Sequence, residues 1–345
     1  MRGSAVKRHL NTLFVTTQDT WLSKEGECVE IRLDRKSLGK IPLHTLQSIV
    51  CFGHVSCSQY LLEHCAKRGV SVTWFTEYGR FMASMQGPVT GNVLLRRTQY
   101  RLADSEQASA DLARFFIIGK IANCRTVLLR QARAVEEPSL GEAAKKMRAV
   151  LQRLSLPHTM DAIRGMEGEA ARIYFDVFPR LIKKEFRATM RFEGRSRRPP
   201  QDEVNCLLSF FYALLANDIK SALEGVGLDP AVGFLHRERP GRPSLALDIM
   251  EEFRPYLADR LALTLVNRQQ ITATDFIQTE VGGFCLKDKA RKTLLASWQE
   301  RKREEVEHPF LKEKMTVGML LHIQARLLAR YIRGDMDAYP PFAMR

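Results

Sequence analysis

Short runs in which apolar and polar residues alternate occupy the first part of the chain, up to about residue 85. This period of two is typical of β-strands. One helix is predicted among them, over residues 56–69, because Ser56 or Ser58 can cap its start and Gly69 can end it. Turns are predicted at KEGE, Gly39 and YGR, and strands at TLFVTT (12–17), CVEIRLD (28–34), HTLQSIVCF (44–52), VSVTWFT (70–76) and RFMASM (80–85).

From about residue 93 the apolar positions recur every three to four residues, which predicts helices. The segment 204–227 is apolar nearly all round and is expected to lie in the core. A β-hairpin is predicted at 276–288, and further helices at 111–133, 165–178 and 317–334.

The two patterns predict an α+β protein made of two domains. A small β-rich N-terminal domain, residues 1–85, would be followed by the Gly- and Pro-containing linker QGPVTGN, residues 86–92. A larger all-α domain would then occupy residues 93–345, a division that suits the length of the chain.

The charge of the chain favours a polyanionic partner. The 345 residues carry 53 basic and 39 acidic side chains, a formal net charge of +14, and nucleic acid is the leading candidate. The basic residues are grouped at 180–198 and at 287–303, where they could neutralise a phosphate backbone. The alternative for either group is a solvated helix face.

Composition also narrows the cellular setting. No apolar run is long enough to span a membrane and no signal-peptide pattern is found, so a cytoplasmic protein is expected. The seven cysteines contain no C-x-x-C pair, so neither a disulfide framework nor a zinc knuckle is expected.

The candidate chemistry lies in GFLHRERPGRPSLALDIMEEFRP, residues 233–255. A helix is predicted to begin at about Ser244, as its cap, and to end at or just before Pro255. In that helix Asp248 and Glu251 share a face, and Glu252 lies on the adjoining edge. Carboxylates this close repel one another, so a cation such as Arg254 or a metal ion should compensate them.

Two further segments could complete a metal site. The turn RERPGRPS can fold His236 back against Asp248 and Glu251. A lone histidine is more often structural, and this alternative stays open. A predicted helix in GMEGEAARIYFDVF, residues 165–178, offers Glu167 or Glu169, and spacing does not select between them; either could instead simply favour a helix N-terminus.

Several ordered motifs resemble one known family. GMEGEAARIYF, NCLLSFFYALL and GLDPAVGFLHRERPGRPSLALDIMEEFRP look like Cas1, the CRISPR-associated adaptation integrase. NTLFVTT, IPLHTLQSIVCFG, GNVLLRRTQYR and YPPF extend the resemblance over nearly the whole chain and are similar to the subtype I-C branch.

The resemblance implies an N-terminal β-domain used for homodimerisation and an α-helical catalytic domain. It also implies assembly with the small partner Cas2 on double-stranded and branched DNA, and insertion of short DNA fragments into a CRISPR array. Carried onto matching positions, the metal ligands are Glu167, His236 and Glu251, with Asp248 supporting the site. Two carboxylates and one imidazole suit Mg²⁺ or Mn²⁺ better than zinc.

Six basic residues are candidates for DNA contacts. Those beside His236 could instead balance the neighbouring carboxylates. They are Arg237, Arg239, Arg242, Lys183, Lys184 and Arg187.

Two other functions remain open. His236 and Arg239 match the His-x-x-Arg pair of tyrosine recombinases, in which Tyr331 or Tyr339 would be the nucleophile of a metal-independent reaction with a covalent protein–DNA intermediate. That hypothesis leaves the carboxylates unexplained. In the other hypothesis the protein is a noncatalytic DNA-binding scaffold whose acidic residues close internal salt bridges.

Overall fold

The computed structural model describes residues 12–46, 48–76, 81–85, 87, 93–134, 137–196, 199–280 and 282–344. The chain divides into two compact units, Met1–Thr90 and Gly91–Arg345. The division falls inside the segment predicted as the linker, of which only Gly87 is described; the predicted YGR turn also lies outside the described residues.

In its described residues, the first unit contains two four-stranded sheets and one α-helix. One sheet has the order β1-β5-β7-β8, with β1, β5 and β7 parallel and β8 antiparallel; the other has the order β4-β3-β2-β6. The elements are β1 (Thr12–Val15), β2 (Thr20–Glu25), β3 (Cys28–Leu33), β4 (Lys36–Pro42), β5 (Ser48–Phe52), β6 (Val55–Cys57), α1 (Gln59–Lys67), β7 (Ser71–Phe75) and β8 (Phe81–Met85).

Three strands of this unit, β2, β4 and β6, were absent from the sequence prediction. Gly39 was assigned to a turn, but it lies inside β4 opposite Ile31. The turn is made instead by Asp34 and Arg35, whose φ angles are 49° and 64°. β4 is an edge strand with most of its side chains exposed, so it lacks the apolar pattern of a buried strand. Helix α1 is confirmed, and Ser58 caps it by accepting a hydrogen bond from the Leu61 N–H.

The second unit is mainly helical, which confirms the predicted α+β class. α3 packs against α4, α5 and α7, and α6 packs against α7 and α10. The helices are α2 (Val93–Asp104), α3 (Glu106–Ala134), α4 (Pro138–Leu154), α5 (Met160–Val177), α6 (Glu203–Gly225), α7 (Ser244–Phe253), α8 (Arg260–Asn267), α9 (Asp288–Arg303) and α10 (Val317–Ile332). Two short antiparallel hairpins accompany them, β9 (Phe276–Gln278) with β10 (Phe284–Leu286), as predicted, and β11 (Glu305–Glu307) with β12 (Lys314–Thr316).

α6 is a largely buried helix of this unit, as its apolar sequence predicts. Within the described residues it is the helix that is long and apolar enough to cross a membrane, but 56% of its apolar stretch is buried inside the protein, as in the core helix of a soluble fold. Asp202 caps α6 by accepting a hydrogen bond of 2.7 Å from the Asn205 N–H.

The ends of α7 differ from the prediction. Pro243, not Ser244, is the residue at the cap position, and the buried Ser244 hydroxyl donates to the Arg237 carbonyl instead. Pro255 does not stop the helix, because the chain continues through a π-helical turn, Arg254–Asp259, directly into α8. A proline in the first turn of a new helical segment needs no N–H partner, which explains this continuity.

Candidate active site

Glu167 lies in the middle of α5 rather than at its start. The helix begins at Met160 and is capped by Thr159, so a favourable interaction with the helix N-terminus explains neither Glu167 nor Glu169. Glu169 is half-buried and pairs with Arg153. Glu167 is directed elsewhere, at the ammonium of Lys120 on α3, with 2.7 Å between Oε1 and Nζ. Of the two glutamates that spacing left open, Glu167 is therefore the one that faces Lys120.

His236 is held by the carboxylate of Asp248. Asp248 is fully buried, and its Oδ1 lies 2.7 Å from His236 Nδ1. The same carboxylate accepts the backbone N–H groups of Phe234, Leu235 and His236 at 2.6, 3.0 and 2.9 Å. Since a carboxylate oxygen accepts, Nδ1 carries the proton and Nε2 keeps a lone pair for a metal or a proton. The predicted return of His236 to the acidic helix is confirmed in this geometry.

Gly233 makes this close approach possible. A Cβ atom at this position would lie 2.8 Å from the Ser244 carbonyl carbon and 2.9 Å from Asp248 Oδ2. Both distances are below any ordinary contact, so only glycine lets the loop before His236 lie on the start of α7.

Glu251 is buried between two cations. Its Oε1 lies 2.7 Å from Arg254 Nη1, and its Oε2 lies 2.8 Å from Lys120 Nζ. Burial alone would raise the pKa of Glu251, but Arg254, Lys120 and the nearby His236 lower it to about 2, so the carboxylate is ionised at neutral pH. The Arg254 guanidinium in turn lies over the Tyr212 ring, 4.8 Å from its centroid. Arg254 is therefore one compensating cation, as the sequence suggested, and Lys120 is the other.

Glu252 points away from this site. It is fully buried, and its two oxygens accept hydrogen bonds from the Tyr339 hydroxyl at 2.7 Å and the Phe342 N–H at 2.6 Å. Because burial dominates, the pKa of Glu252 is raised to about 8. Of the four residues crowded into the segment 233–255, three lie at one site: His236, Asp248 and Glu251. The fourth, Glu252, is buried against Tyr339 and Phe342 instead.

The family model for "CRISPR associated protein Cas1" matches residues 13–300. The chain belongs to the Cas1 family. It is 60% identical over 344 residues to the CRISPR-associated endonuclease Cas1 1 of Chlorobaculum tepidum, with 99% of this chain and 100% of that protein covered. It is 49% identical over 345 residues to the CRISPR-associated endonuclease Cas1 2 of Rhodospirillum rubrum, with 98% and 99% covered.

Solved structures share the fold. A Cas1 protein from Thermotoga maritima superposes with a TM-score of 0.82 at 22% identity, covering 95% of this chain and 99% of that chain. A casposase bound to its integration product superposes with a TM-score of 0.82 at 22% identity, covering 97% and 95%. At this identity the likeness supports the architecture and no more.

Two of the predicted ligands, Glu167 and Glu251, both contact Lys120 Nζ, which lies between them. Among the described residues, no three His, Cys, Asp or Glu side chains are grouped closely enough to hold a metal ion. Glu251 Oε2 is buried and accepts no properly oriented hydrogen bond, although Lys120 is close. Such an oxygen has capacity for a cation.

Lys120 and Gln99 are the residues that sequence reasoning missed. Lys120 is a single charge within the apolar run FFIIGKIA of a core helix, and this isolation is the signal that could have identified it. Gln99, on α2, is fully buried and pins the loop before His236 through the Asp229 and Val232 carbonyls, at 2.8 and 2.9 Å. Its contacts are more than 100 residues away in sequence, so no local pattern reveals it.

The six basic candidates for DNA contacts fall into two groups. Arg237, Arg239, Lys183 and Lys184 are exposed. Arg242 and Arg187 are half-buried, and Arg187 donates to the carbonyls of Ile182 and Arg180 in its own loop.

The basic group at 287–303 is partly structural. It forms α9, in which Arg291 and Lys302 are buried, and Lys302 pairs with Asp218 at 2.9 Å. The group at 180–198 is described as far as residue 196.

The tyrosines of the recombinase hypothesis are poorly placed. Tyr339 is buried and its hydroxyl donates to Glu252, which points away from Glu251 and its two cations. Tyr331 is half-buried on α10, and burial raises its pKa. A nucleophilic tyrosine needs a hydroxyl that the DNA can reach, and the Tyr339 side chain is buried.

Proposed function

We propose that this chain is a metal-dependent DNA endonuclease and integrase, which inserts short DNA fragments into a CRISPR array by attack of a 3′-hydroxyl on a phosphodiester. The observation that carries the proposal is the convergence of Glu167 from α5 and Glu251 from α7 on one cationic position, beside a histidine oriented by a buried aspartate. The names of the full-length relatives, CRISPR-associated endonucleases, support the same chemistry.

Glu167, Glu251 and His236 would hold the metal ion. The donor set of two carboxylates and one imidazole suits Mg²⁺ or Mn²⁺, and the buried Oε2 of Glu251 offers an oxygen without an oriented hydrogen bond. When bound, such an ion polarises a phosphoryl oxygen and stabilises the developing charge of the displacement.

The protein's own groups have distinct roles in this proposal. Asp248 keeps the proton on His236 Nδ1, so His236 Nε2 can bind the ion or accept the proton of the attacking hydroxyl. Arg254 neutralises Glu251 throughout. Lys120 balances both glutamates, and with a metal ion bound by those glutamates its ammonium would be available for a DNA phosphate.

The reaction conserves phosphodiester bonds. The 3′-oxygen of the incoming fragment forms a bond to phosphorus while the bond to the 3′-oxygen of the array strand breaks, and the hydroxyl proton passes to the base and then to the leaving oxygen. In endonuclease activity a water molecule replaces the attacking hydroxyl.

The proposed partners are double-stranded and branched DNA, a second copy of the chain and the Cas2 subunit, in the cytoplasm. The net charge of +14 supports the nucleic acid. A Cas6-RT-Cas1–Cas2 complex is among the structures with the same fold, at a TM-score of 0.83 and 22% identity, with 99% of this chain and 37% of that chain covered. The I-C subtype likewise stays a prediction.

The test is strand transfer of a labelled 3′-hydroxyl DNA end into an array-like duplex, with Mg²⁺, Mn²⁺ or EDTA. The Glu167→Gln variant removes one charge from the site, and we expect transfer to fall by roughly two orders of magnitude or more. Glu169→Gln, on the same helix but paired with Arg153, is the matched control and should stay within about twofold of wild type.

Either of two results would contradict the proposal. Transfer that persists in EDTA with DNA covalently bound to protein would support the recombinase hypothesis. Tight DNA binding without transfer, in the presence of Cas2 and both metals, would support the scaffold.

A further inference from the structure

The last residues of the described chain form a buried segment, residues 339–344, here called the C-terminal clasp. Tyr339 and Phe342 are buried, with 1% and 0% of their surfaces exposed. The Phe342 ring stacks on Phe253 of α7 at a centroid distance of 5.1 Å, and the Tyr339 ring meets Phe116 of α3 edge-on at 5.4 Å. The clasp therefore contacts both helices that carry Lys120 and Glu251.

Hydrogen bonds from buried polar side chains fix the position of the clasp on α3 and α7. Glu252 on α7 accepts the Phe342 N–H and the Tyr339 hydroxyl. Asn123 on α3 donates to the Phe342 carbonyl at 2.9 Å and to the Glu252 carbonyl at 2.7 Å, and accepts the Met344 N–H at 2.7 Å. One asparagine side chain thus connects the clasp, α3 and α7.

The clasp meets the two helices one residue away from the active site. Glu252 follows Glu251, and Gly119 precedes Lys120. A Cβ atom on Gly119 would lie 3.0 Å from Glu252 Cγ, 3.2 Å from Pro341 Cβ and 3.3 Å from the Phe342 carbonyl oxygen. The two helices and the clasp are therefore packed closely at Gly119, and a side chain there would force its neighbours to shift.

Apolar contacts alone could cover the face of α3 and α7 under the clasp. They would not fix the position of the clasp along the two helices. A buried carboxylate and a buried amide, each with several partners, are costly unless every bond is made, so they hold α3 and α7 in one relative position. That position determines the distance of 2.8 Å between Lys120 Nζ and Glu251 Oε2.

We propose that the C-terminal clasp, through Glu252 and Asn123, is a positioning element that fixes α3 against α7 and so aligns Lys120 and Glu251 for the reaction. Its catalytic consequence rests on the proposed function. Glu252 itself touches no reacting group, which explains why it lies beside Glu251 without belonging to the site.

Two pairs of variants test the clasp in the full-length chain. Gly119→Ala inserts a methyl group where the three parts meet, and Gly141→Ala, in α4 with open space around the new Cβ, is its matched control. Glu252→Ala removes the acceptor of the clasp, whereas Glu252→Gln keeps an oxygen for the Phe342 N–H and is the conservative rescue.

We expect Gly119→Ala and Glu252→Ala to lower kcat for strand transfer by roughly tenfold or more, because small misplacements of reacting groups are costly. The Kd for DNA should change less than about twofold, since the basic surface is untouched. Amide hydrogen exchange should rise in residues 116–124 and 248–254 and stay unchanged in α4. Gly141→Ala and Glu252→Gln should match wild type in all three measurements.

Three results would overturn the proposal: an unchanged kcat in Gly119→Ala and Glu252→Ala, a loss of kcat that only follows the loss of folded protein, or unchanged exchange in both segments. If wild type itself transfers no strand, the proposed function fails separately. In that case amide hydrogen exchange is the only test of the clasp. Faster exchange of residues 116–124 and 248–254 in the two variants supports the clasp, and unchanged exchange overturns it.

Discussion

At the scale of single residues, two neighbouring glutamates show how strongly location determines chemistry. Glu251 and Glu252 are both buried, yet the pKa of Glu251 is lowered to about 2 and that of Glu252 is raised to about 8. Burial raises the pKa of both. The difference is that Glu251 has two cations within 2.8 Å, whereas Glu252 has only neutral donors. Successive residues on a helix point in directions about 100° apart. Glu251 therefore faces the active site, and Glu252 faces the clasp.

Asp259 gives a pH-dependent prediction. It is buried and accepts hydrogen bonds from Tyr212 of α6 at 2.7 Å and Tyr174 of α5 at 3.1 Å, with Arg254 and Arg195 also nearby. Burial raises its pKa from 3.8 to about 6 despite these partners. Because the folded state keeps this proton more tightly than the unfolded state, the contribution to stability is full below pH about 4 and is lost as pH rises through about 6, on the order of 3 kcal/mol in all.

The measurement is urea unfolding at a series of pH values between 4 and 8. Asp259→Asn, which cannot ionise, should show a flatter profile over this window than wild type. Equal slopes for the two proteins would contradict the assignment. Asp161→Asn is the control, since Asp161 has 95% of its side chain exposed and should leave the slope unchanged.

At the scale of elements, helices far apart in the sequence build the site together. α3 supplies Lys120, α5 supplies Glu167, α7 supplies Asp248 and Glu251, and the loop between α6 and α7 supplies His236. The helices themselves follow from their apolar periodicity, which is why 165–178 and 204–227 were predicted nearly in place. β2, β4 and β6 were missed because their side chains are polar or exposed, or because the strand is only three residues long, so local pattern gives little signal.

Gln99 provides a prediction at this scale. Its side chain makes three hydrogen bonds to the loop before His236, two to carbonyls and one from the Asp229 N–H at 2.9 Å. Gln99→Ala leaves these partly buried backbone groups without the Gln99 side chain as a partner, so we expect a loss of about 1–3 kcal/mol in the free energy of unfolding, measured by urea denaturation. Gln107→Ala on α3 removes only an exposed contact with Asp111 and should change it by less than about 0.5 kcal/mol. Equal effects of both variants would show that the loop does not depend on α2.

At the scale of the whole molecule, only some of the basic residues behind the net charge of +14 are exposed to a binding partner. Part of this charge is balanced inside the protein, since Lys302 is buried, and Lys120 and Arg254 are largely buried, beside carboxylates. Arg237 and Arg239, close in sequence to His236, are exposed and available to a polyanion. The net charge therefore overestimates the number of basic side chains that can bind DNA. Which ones can bind it depends on where they lie in the fold.

Salt dependence of DNA binding tests this division. If Arg237 and Arg239 each neutralise one phosphate, the double variant R237A/R239A should reduce the slope of log Kd against log salt concentration by about 2, measured by fluorescence anisotropy between low and moderate salt. Lys40→Ala is the control, because Lys40 is paired with Glu25 at 2.6 Å in the first unit, and it should leave the slope unchanged. An unaltered slope in the double variant would remove these arginines from the DNA surface.

The sequence by itself determined the α+β class, the principal helices and the motifs that place the chain in the Cas1 family, because periodicity and ordered motifs are local properties. It also placed His236, Asp248 and Glu251 together, since a single turn and one helix connect them. The spacing of residues left Glu167 and Glu169 equal, and the family resemblance pointed to Glu167; the tertiary structure then showed Glu167 directed at Lys120. Only the tertiary structure added Lys120 and Gln99 and assigned Glu252 to the clasp. Each of these depends on which residue of a distant helix lies opposite, and that is decided by packing.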